Sequence, residues 1–338
     1  MAHNIEGQNF VAGRNNPAWH GLGTVVDGTM TTEQVLEASN LAGWDVRLDP
    51  LVVSLGNGNT DTVTDKYAVI RQHPNEDRED VLAVVGKRYE VISAEELFKF
   101  GTDVIGIEGQ WDTAGSLDEG RRVFGAALLP RSFTLDPSGS ADTVQQYLTV
   151  ATSFDGTLQT RILSTPVRVV CQNTLTMAIN NSQRIFNVRH TKNADERLAK
   201  ARKALDLTHE HFGAWEQAAK ELFEVDMSDK QFQSIIDLYD AVPDERIDDE
   251  GEVKNRTGIT RAENRQGLYW DVLRAGTNAN IAGTAWAGLQ ALVEVEDYYR
   301  EVRGDADGTR HAVDALSLNG QTKGKDNALG IVREVVLA

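Results

Sequence analysis

Three runs of apolar and β-branched residues dominate residues 121–170 of this 338-residue chain. They cover residues 122–129, 147–152 and 165–170, and turn-forming sequences separate them, at residues 136–139 and at Asp155-Gly156. Proline, glycine and aspartate favour the backbone conformations of turns, so this alternation is typical of neighbouring antiparallel strands. We therefore predict a central antiparallel β-meander, followed by a helix at residues 173–181.

The N-terminal part mixes short helices with strands. Thr31 with Gln34, and Ser93 with Glu96, have the spacing of a capping box, which predicts a helix start at each place. Between them, the Gly-Asn-Gly-Asn run at residues 56–59 predicts a hairpin turn. A further strand pair is expected at residues 81–85 and 88–92, and residues 17–23 are expected to form an ordered arm.

The C-terminal part is predicted to be mainly helical. Residues 194–223 carry apolar side chains at alternating steps of three and four, which indicates one long helix. The stripe is compatible with self-association or with packing on the chain's own domain. Further helices are predicted at residues 260–276, 284–303 and 326–336. The expected fold class is α+β, with an α+β core and arm at residues 1–193 and a helical region at residues 194–338.

Cysteine content and hydropathy limit the classes of protein. Cys171 is the only cysteine, so an intramolecular disulfide and a site with two thiolates are excluded. No cationic start with an apolar run opens the chain, and no stretch reaches the ~18 apolar residues of a membrane helix. We expect a cytoplasmic protein without a membrane partner.

Charge is distributed unevenly along the chain. The formal net charge is −17, but residues 161–203 contain nine cations and two acids, a surplus of seven positive charges. The remainder therefore carries −24. The cations are Arg161, Arg168, Arg184, Arg189, Lys192, Arg197, Lys200, Arg202 and Lys203.

Several short motifs occur in a fixed order, at residues 18–23, 89–92, 153–157, 165–175 and 284–294. Together they resemble a family associated with phages and plasmids, domain of unknown function 932. The motif residues singled out by the resemblance are Trp19, His20, Asp155, Gly156, Arg168, Cys171 and Asn173. The resemblance implies a mobile-element setting, in which genes mostly serve DNA replication, recombination or conflict with the host. Phe154 stands where the resemblance implies a histidine, which argues against metal or acid–base chemistry at that motif.

Three candidate sites for chemistry have simpler structural interpretations. Cys171 follows apolar residues, so we favour a buried structural thiol over a nucleophile. Asp244, Glu252 and Lys254 have the composition of a Mg²⁺-dependent nuclease site, but their surroundings are typical of a charged loop. Asp155-Gly156 is most simply a β-turn.

The histidines also have simpler interpretations. His209 and His211 are two apart on a predicted helix and so point in different directions. Trp19 and His20 are expected to belong to a packed arm. No catalytic residue, metal site or cofactor is predicted.

The basic stretch carries the leading functional hypothesis. Cations beside aromatic or imidazole rings, here Phe186 and His190, suit single-stranded nucleic acid, because phosphates are neutralised while bases stack. Arg161 and Arg168 are expected on adjacent strands, and Arg197, Lys200 and Lys203 on one helical face. The alternative is that these cations pair with acids inside the protein.

The predicted function is therefore single-stranded nucleic-acid binding in phage or plasmid DNA metabolism. Single-strand annealing in recombination, by a homo-oligomer, is its most specific form. An interaction protein that blocks a host factor is the second hypothesis, and a divergent nuclease the third.

Overall fold

The computed structural model of the chain describes residues 5–12, 24–106, 109–168, 185–187, 194–247, 252–300, 325 and 327–337. They form two sheets and a group of helices. The strands of the large sheet are β1 (Ile5–Ala12), β2 (Thr24–Val25), β6 (Gln110–Leu117), β7 (Arg122–Leu135), β8 (Asp142–Ser153), β9 (Arg161–Arg168) and β10 (Ile185–Asn187). The strands of the small sheet are β3 (Arg47–Ser54), β4 (Thr60–Gln72) and β5 (Glu79–Gly86).

The large sheet has the order β10-β9-β8-β7-β6-β1-β2, so β7 to β9 form the predicted meander and β6, which was not predicted, extends it. The helix predicted at residues 173–181 lies outside the described residues. All neighbouring pairs are antiparallel except β1 with β2. Both predicted turns lie where the sequence places them, since β7 and β8 are joined through residues 136–141 and β8 and β9 through residues 154–160. The α+β fold class is confirmed.

The small sheet confirms the hairpin and corrects the strand pair predicted after it. The amide of Leu55 donates to the carbonyl of Asn59 at 2.7 Å, which closes the turn between β3 and β4. Residues 88–92 form no strand. The physical reason is that the chain leaves the small sheet after Gly86, and the Tyr89 hydroxyl donates to the backbone carbonyl of Ser153 in the large sheet.

Two short helices cover part of the large sheet, α1 (Thr32–Ala38) and α2 (Ala94–Ile105). Both predicted capping boxes are present. The Glu96 amide donates to Ser93 Oγ at 3.2 Å, and the Ser93 amide donates to the Glu96 carboxylate at 3.1 Å. These bonds satisfy amides that an isolated helix end leaves without partners.

Five α-helices and two shorter helical turns follow the sheets in the described part of the chain. They are α3 (Ala194–Phe223), α4 (Asp229–Tyr239), α5 (Arg256–Leu273), a 3₁₀ turn (Gly276–Ile281), α6 (Ala285–Glu294), a π-helical turn (Val295–Tyr299) and α7 (Ala328–Val336). The helix predicted at residues 284–303 therefore stays α-helical only to Glu294. The chain then continues as the π-helical turn, in which the buried Glu296 and Asp297 form ion pairs with Arg300 and Lys325, respectively.

The apolar stripe of α3 is buried inside the chain. Phe212 and Trp215 are at most 1% exposed, and their rings contact those of Phe133 on β7 and Trp286 on α6. The stripe thus packs on its own domain, which is the second of the two arrangements that the spacing allows. Homo-oligomerisation stays a prediction, without this stripe as its surface.

The helices and the sheet share a hydrogen-bonded connection. Trp286 Nε1 on α6 donates to the fully buried carboxylate of Asp142 on β8 at 2.9 Å, and Asn280 donates to the same carboxylate at 3.2 Å. The division of the chain at residues 193 and 194 stays a prediction, since α3 contributes Ala204 to the core around α2 and Phe212 to the core of the C-terminal helices.

Candidate functional site

The two faces of the large sheet differ in what lies on them. Directly opposite residues of antiparallel strands share a face, and side chains alternate between faces along each strand. Val150 and Ile162 are opposite one another and belong to the same apolar core as Phe98 of α2. Ser164 Oγ, on that face, donates to the carbonyl of Thr208 on α3 at 3.2 Å. This face therefore carries the helices α2 and α3.

The opposite face carries buried polar side chains. Tyr147 donates to the carboxylate of Asp112 at 3.2 Å, and the hydroxyls of Thr149 and Thr165 are 3.0 Å apart. These four residues are between 1% and 7% exposed. Buried polar groups are costly unless they are hydrogen-bonded, and here they bond to one another. We call this surface the polar face.

Arg161 also belongs to the polar face, because it lies opposite Ala151, two residues from Thr149 on β8. It is 9% exposed. Within the described residues the only hydrogen bond of its side chain is from Nε to the carbonyl of Gln159, at 3.1 Å, and the side chain pairs with no carboxylate. Burial lowers the pKa of its guanidinium, because desolvation disfavours the charged form.

Beside the turn between β8 and β9 lie the charged side chains of Asp155, Arg122 and Asp118, and we call this group the charged corner. Asp155 Oδ1 accepts from both the amide and the hydroxyl of Thr157, at 2.9 and 2.6 Å. Arg122 of β7 donates to Thr157 Oγ1 at 3.2 Å and to Asp118 at 3.3 Å. Burial opposes ionisation of Asp155, but the hydrogen bonds from Thr157 and Ser153 and the charge of Arg122 outweigh it and lower its pKa.

Tyr89 closes this corner from the other side. Its hydroxyl donates to the Ser153 carbonyl at 2.7 Å, and burial together with the charge of Asp155 raises the pKa of Tyr89 to about 12. Gly156 has a φ of 73°, and a Cβ there would lie 3.8 Å from the Tyr89 ring. The motifs at residues 89–92 and 153–157 are thus in direct contact.

A strained turn lies next to the corner. Asp118, Glu119 and Gly120, between β6 and β7, all have positive φ, at 56°, 53° and 81°. Such conformations cost free energy in residues other than glycine, and they cluster at functional positions. Arg71 lies directly beneath Gly120, 1% exposed, with Nε donating to Asp80 at 3.0 Å.

The structure separates the predicted nucleic-acid-binding residues. Arg161 and Arg168 lie on the same strand, β9, so their prediction on adjacent strands is wrong. The reason is that the turn after Asp155 leads directly into a strand that runs without interruption from Arg161 to Arg168. Lys200 pairs with Glu196 at 2.8 Å, and Lys203 is exposed. The remaining predicted residues, or their side chains, lie outside the described part, namely Arg168, Arg184, Arg189, Lys192 and Arg197.

The residues singled out by the family resemblance divide in the same way. Asp155 and Gly156 lie in the corner described above. Trp19, His20, Cys171 and Asn173 lie outside the described residues. Phe154 occupies the position where the family resemblance implies a histidine. It is fully buried against Trp44, with ring centroids 6.1 Å apart.

The residues of the nuclease candidate lie on the surface. Asp244, Glu252 and Lys254 are exposed, and an isolated β-bridge joins Ile247 to Val253 beside them. Metal-dependent nucleases need carboxylates held in fixed positions by neighbouring strands, and in the described residues these two carboxylates belong to neither sheet. In the part of the chain that the structure describes, no group of three or more His, Cys, Asp or Glu residues is placed to hold a metal ion.

The two histidines of α3 have structural surroundings. His209 Nδ1 lies 3.2 Å from Oε1 of Gln146, and burial, followed by the charge of Arg131, lowers the pKa of this histidine. His211 is fully buried. Both side chains therefore belong to the contact between α3 and the rest of the fold.

Sequence reasoning missed two members of the corner, Tyr89 and Arg122. Tyr89 was noted only as part of a motif, and its contact spans 64 positions. For Arg122 a local signal exists, since Arg121 and Arg122 directly follow an acidic turn ending in glycine. That arrangement favours ion pairs across the turn, and both arginines contact Asp118.

The fold and this corner define an α+β protein with a largely antiparallel sheet, which carries helices on one face and buried polar side chains on the other, and with a helical C-terminal part. The model of the family described as domain of unknown function (DUF932) matches residues 81–317, and the chain belongs to that family. The match includes both motifs that meet at the corner. Neither the curated proteins nor the solved structures contain a match to the chain. Among the described residues, no helix is long and apolar enough to cross a membrane.

Proposed function

We propose that the protein binds single-stranded nucleic acid through cations of the basic stretch at residues 161–203, with the exposed Arg202 and Lys203 of α3 at the centre of the surface. The observation that carries the proposal is the state of Arg202 and Lys203. Both are exposed, and within the described part of the chain neither forms an ion pair. Two neighbouring cations that no described acid neutralises are available to phosphates.

The local charge supports this proposal against the acidic average. Residues 156–194 contain no aspartate or glutamate, in a chain that has 51 of them. A net charge of −17 repels nucleic acid at long range, but screening limits that repulsion to about 10 Å at 0.1 M salt. At closer range a phosphate meets the local surplus of positive charge, so binding at this surface is compatible with an acidic protein.

We propose single-stranded rather than double-stranded nucleic acid as the ligand, because no described helix or strand pair is presented for insertion into a groove of duplex DNA. α3 packs against the rest of the chain along its apolar stripe, and Arg202 and Lys203 lie on the side of the helix that faces solvent. Phosphate contacts without base-edge recognition favour binding that tolerates any sequence. Single-strand annealing in phage or plasmid recombination is the specific activity that we propose for such a protein.

Fluorescence anisotropy with labelled single- and double-stranded oligonucleotides tests the proposal. Replacing Arg202 and Lys203 together by alanine is expected to weaken single-strand binding. It should also flatten the plot of log affinity against log salt by about 1.4, since each lost phosphate contact removes ~0.7 from the slope. Adding Mg²⁺ in parallel reports on cleavage, which the nuclease hypothesis requires.

A matched control removes the same charge elsewhere. Lys220 of α3 and Lys230 of α4 are both exposed and lie outside the basic stretch. Their double replacement by alanine should leave the salt slope unchanged. Equal effects of the two double variants would mean that only net charge matters, and the proposed surface would be rejected.

A second function has its own supporting observation. The small sheet exposes Val52, Val81 and Val84, each more than half exposed, in a part of the chain that is acidic overall. Exposed apolar side chains on one sheet favour contact with another protein. If the wild-type protein binds no single strand even at low salt, an interaction protein that blocks a host factor becomes the leading proposal.

A further inference from the structure

Arg161 differs from the other cations of the basic stretch in being buried. Its terminal nitrogens Nη1 and Nη2 make no hydrogen bond to any described residue, although 9% of the residue remains exposed. Part of the residue therefore remains accessible to solvent.

A buried guanidinium needs an anionic partner, because desolvation of a charge costs several kcal/mol unless it is paired. Among the described residues no carboxylate bonds to Arg161, and the sequence contains no acid between Gly156 and Ala194. The nearest preceding carboxylate in sequence, that of Asp155, accepts from Thr157 and lies 4.0 Å from Arg122. Within the described residues, the only hydrogen-bond partner of the Arg161 side chain is a neutral backbone carbonyl.

A second arginine lies on the same face. Arg122 is opposite Ser153 on β8, and Arg161 is opposite Ala151, two residues away. Two strand spacings and a two-residue offset place the Cα atoms of the arginines roughly 12 Å apart. Both side chains turn toward the connection between β8 and β9, where Arg161 bonds Gln159 and Arg122 bonds Thr157. Two extended guanidinium side chains can reach one ligand across that distance.

We propose that Arg161 anchors an oxyanion site beside the turn between β8 and β9, with Arg122 as the flanking cation, and that its ligand carries a phosphate group. A guanidinium fork matches two oxygens of a phosphate at once. Arg122, which also pairs with Asp118 at 3.3 Å and lies 4.0 Å from Asp155, adds a partly compensated positive charge beside it. The site goes beyond the proposed nucleic-acid surface, because its anchor is buried whereas Arg202 and Lys203 are exposed. The phosphate belongs either to a free phosphate or nucleotide or to a phosphodiester.

Thermal unfolding with inorganic phosphate, compared with chloride at equal ionic strength, provides the test. The wild type should gain about 2 °C in Tm at a phosphate concentration ~5 times Kd, since a ligand that binds only the folded state stabilises it. Arg161→Gln should abolish that gain. In chloride alone the variant should be no less stable than the wild type, because it removes an uncompensated buried charge.

The opposite pattern overturns the proposal. If Arg161 is structural, Arg161→Gln will lower Tm in chloride and any phosphate effect will persist. Wild-type protein that shows no gain with inorganic phosphate, adenosine monophosphate or an oligothymidylate also overturns it, whether or not the variant folds. Arg161→Lys, which keeps the charge without the fork, should retain only part of the gain.

The source of the phosphate follows from which probe stabilises the protein. A gain with inorganic phosphate or the nucleotide assigns a free ligand, and a gain with the oligonucleotide alone assigns a phosphodiester. Arg202→Ala with Lys203→Ala separates this site from the proposed function. That variant should lose oligonucleotide binding in anisotropy yet keep the Tm gain with inorganic phosphate.

Discussion

The hydroxyl of Tyr89 donates a 2.7 Å hydrogen bond to the backbone carbonyl of Ser153, across 64 positions of sequence. The bond joins the segment after the small sheet to the end of β8 in the large sheet. It also brings together two motifs of the family, at residues 89–92 and 153–157. The turn containing Asp155 and Gly156 thereby lies against an aromatic ring.

Replacing Tyr89 by phenylalanine should destabilise the protein by about 1 kcal/mol, because a carbonyl loses its partner while the ring packing stays. Urea unfolding measures this free energy. Tyr299→Phe is the matched control, since that side chain is exposed and its hydroxyl has no hydrogen bond to a described residue. Equal stability of both variants would show that the bond contributes nothing.

Alkaline pH should weaken the same contact. The pKa of Tyr89 is raised to about 12 in the folded chain, from an ordinary value of 10.0, by burial and by Asp155. The unfolded chain releases this proton first, so the stabilisation is complete below pH 10.0 and is lost as pH rises through about 12. Between these pH values, the free energy of unfolding should fall more steeply with rising pH for the wild type than for Tyr89→Phe. Parallel curves would contradict the shift.

The turn at Gly120 should tolerate no side chain. Gly120→Ala combines a φ of 81° with a clash against the buried Arg71 guanidinium, whereas Gly28→Ala has a φ of 86° and open space around it. We expect a loss of about 1 kcal/mol for the control, from backbone strain, and about 3 kcal/mol or more at Gly120. Chemical unfolding of the two variants isolates the contact with Arg71. Similar losses would indicate that Arg71 moves freely.

The stripe of α3 should act on stability and leave particle size unchanged. Phe212 is 1% exposed and packs against Phe133, so Phe212→Ala should cost about 3–5 kcal/mol. Leu238→Ala, on an exposed position of α4, should change stability by less than about 0.5 kcal/mol. Unfolding and light scattering together check this. Smaller particles with unchanged stability would restore the stripe as an oligomer contact.

The cations outside the described residues test the extent of the proposed nucleic-acid surface. If Arg189 and Lys192 contact phosphates, their joint replacement by alanine should flatten the salt slope of single-strand binding by about 1.4. If they pair with acids inside the protein, the variant should instead have a lower Tm and bind single strands as the wild type does. Anisotropy at several salt concentrations, with a thermal melt of each variant, distinguishes the two results.

Local sequence predicted much of the fold. Thr31, Ser93 and the Asp155-Gly156 turn act through neighbours within four positions, so their effects follow from residue type and spacing. The prediction was wrong for residues 88–92, because an apolar run does not reveal which sheet it will contact. It was also wrong about Arg161 and Arg168, because the length of β9 depends on pairing with β8 over its whole extent.

The amino-acid sequence by itself determined the α+β class, the meander, the capped helices, the concentration of cations in residues 161–203 and the family. Only the tertiary structure decided that Arg161 is buried beside a charged turn, that the stripe of α3 faces inward, and that Tyr89 reaches Ser153. Charge and periodicity are properties of neighbouring residues. Burial and contact depend on which distant surfaces meet, and that is settled only when the whole chain packs.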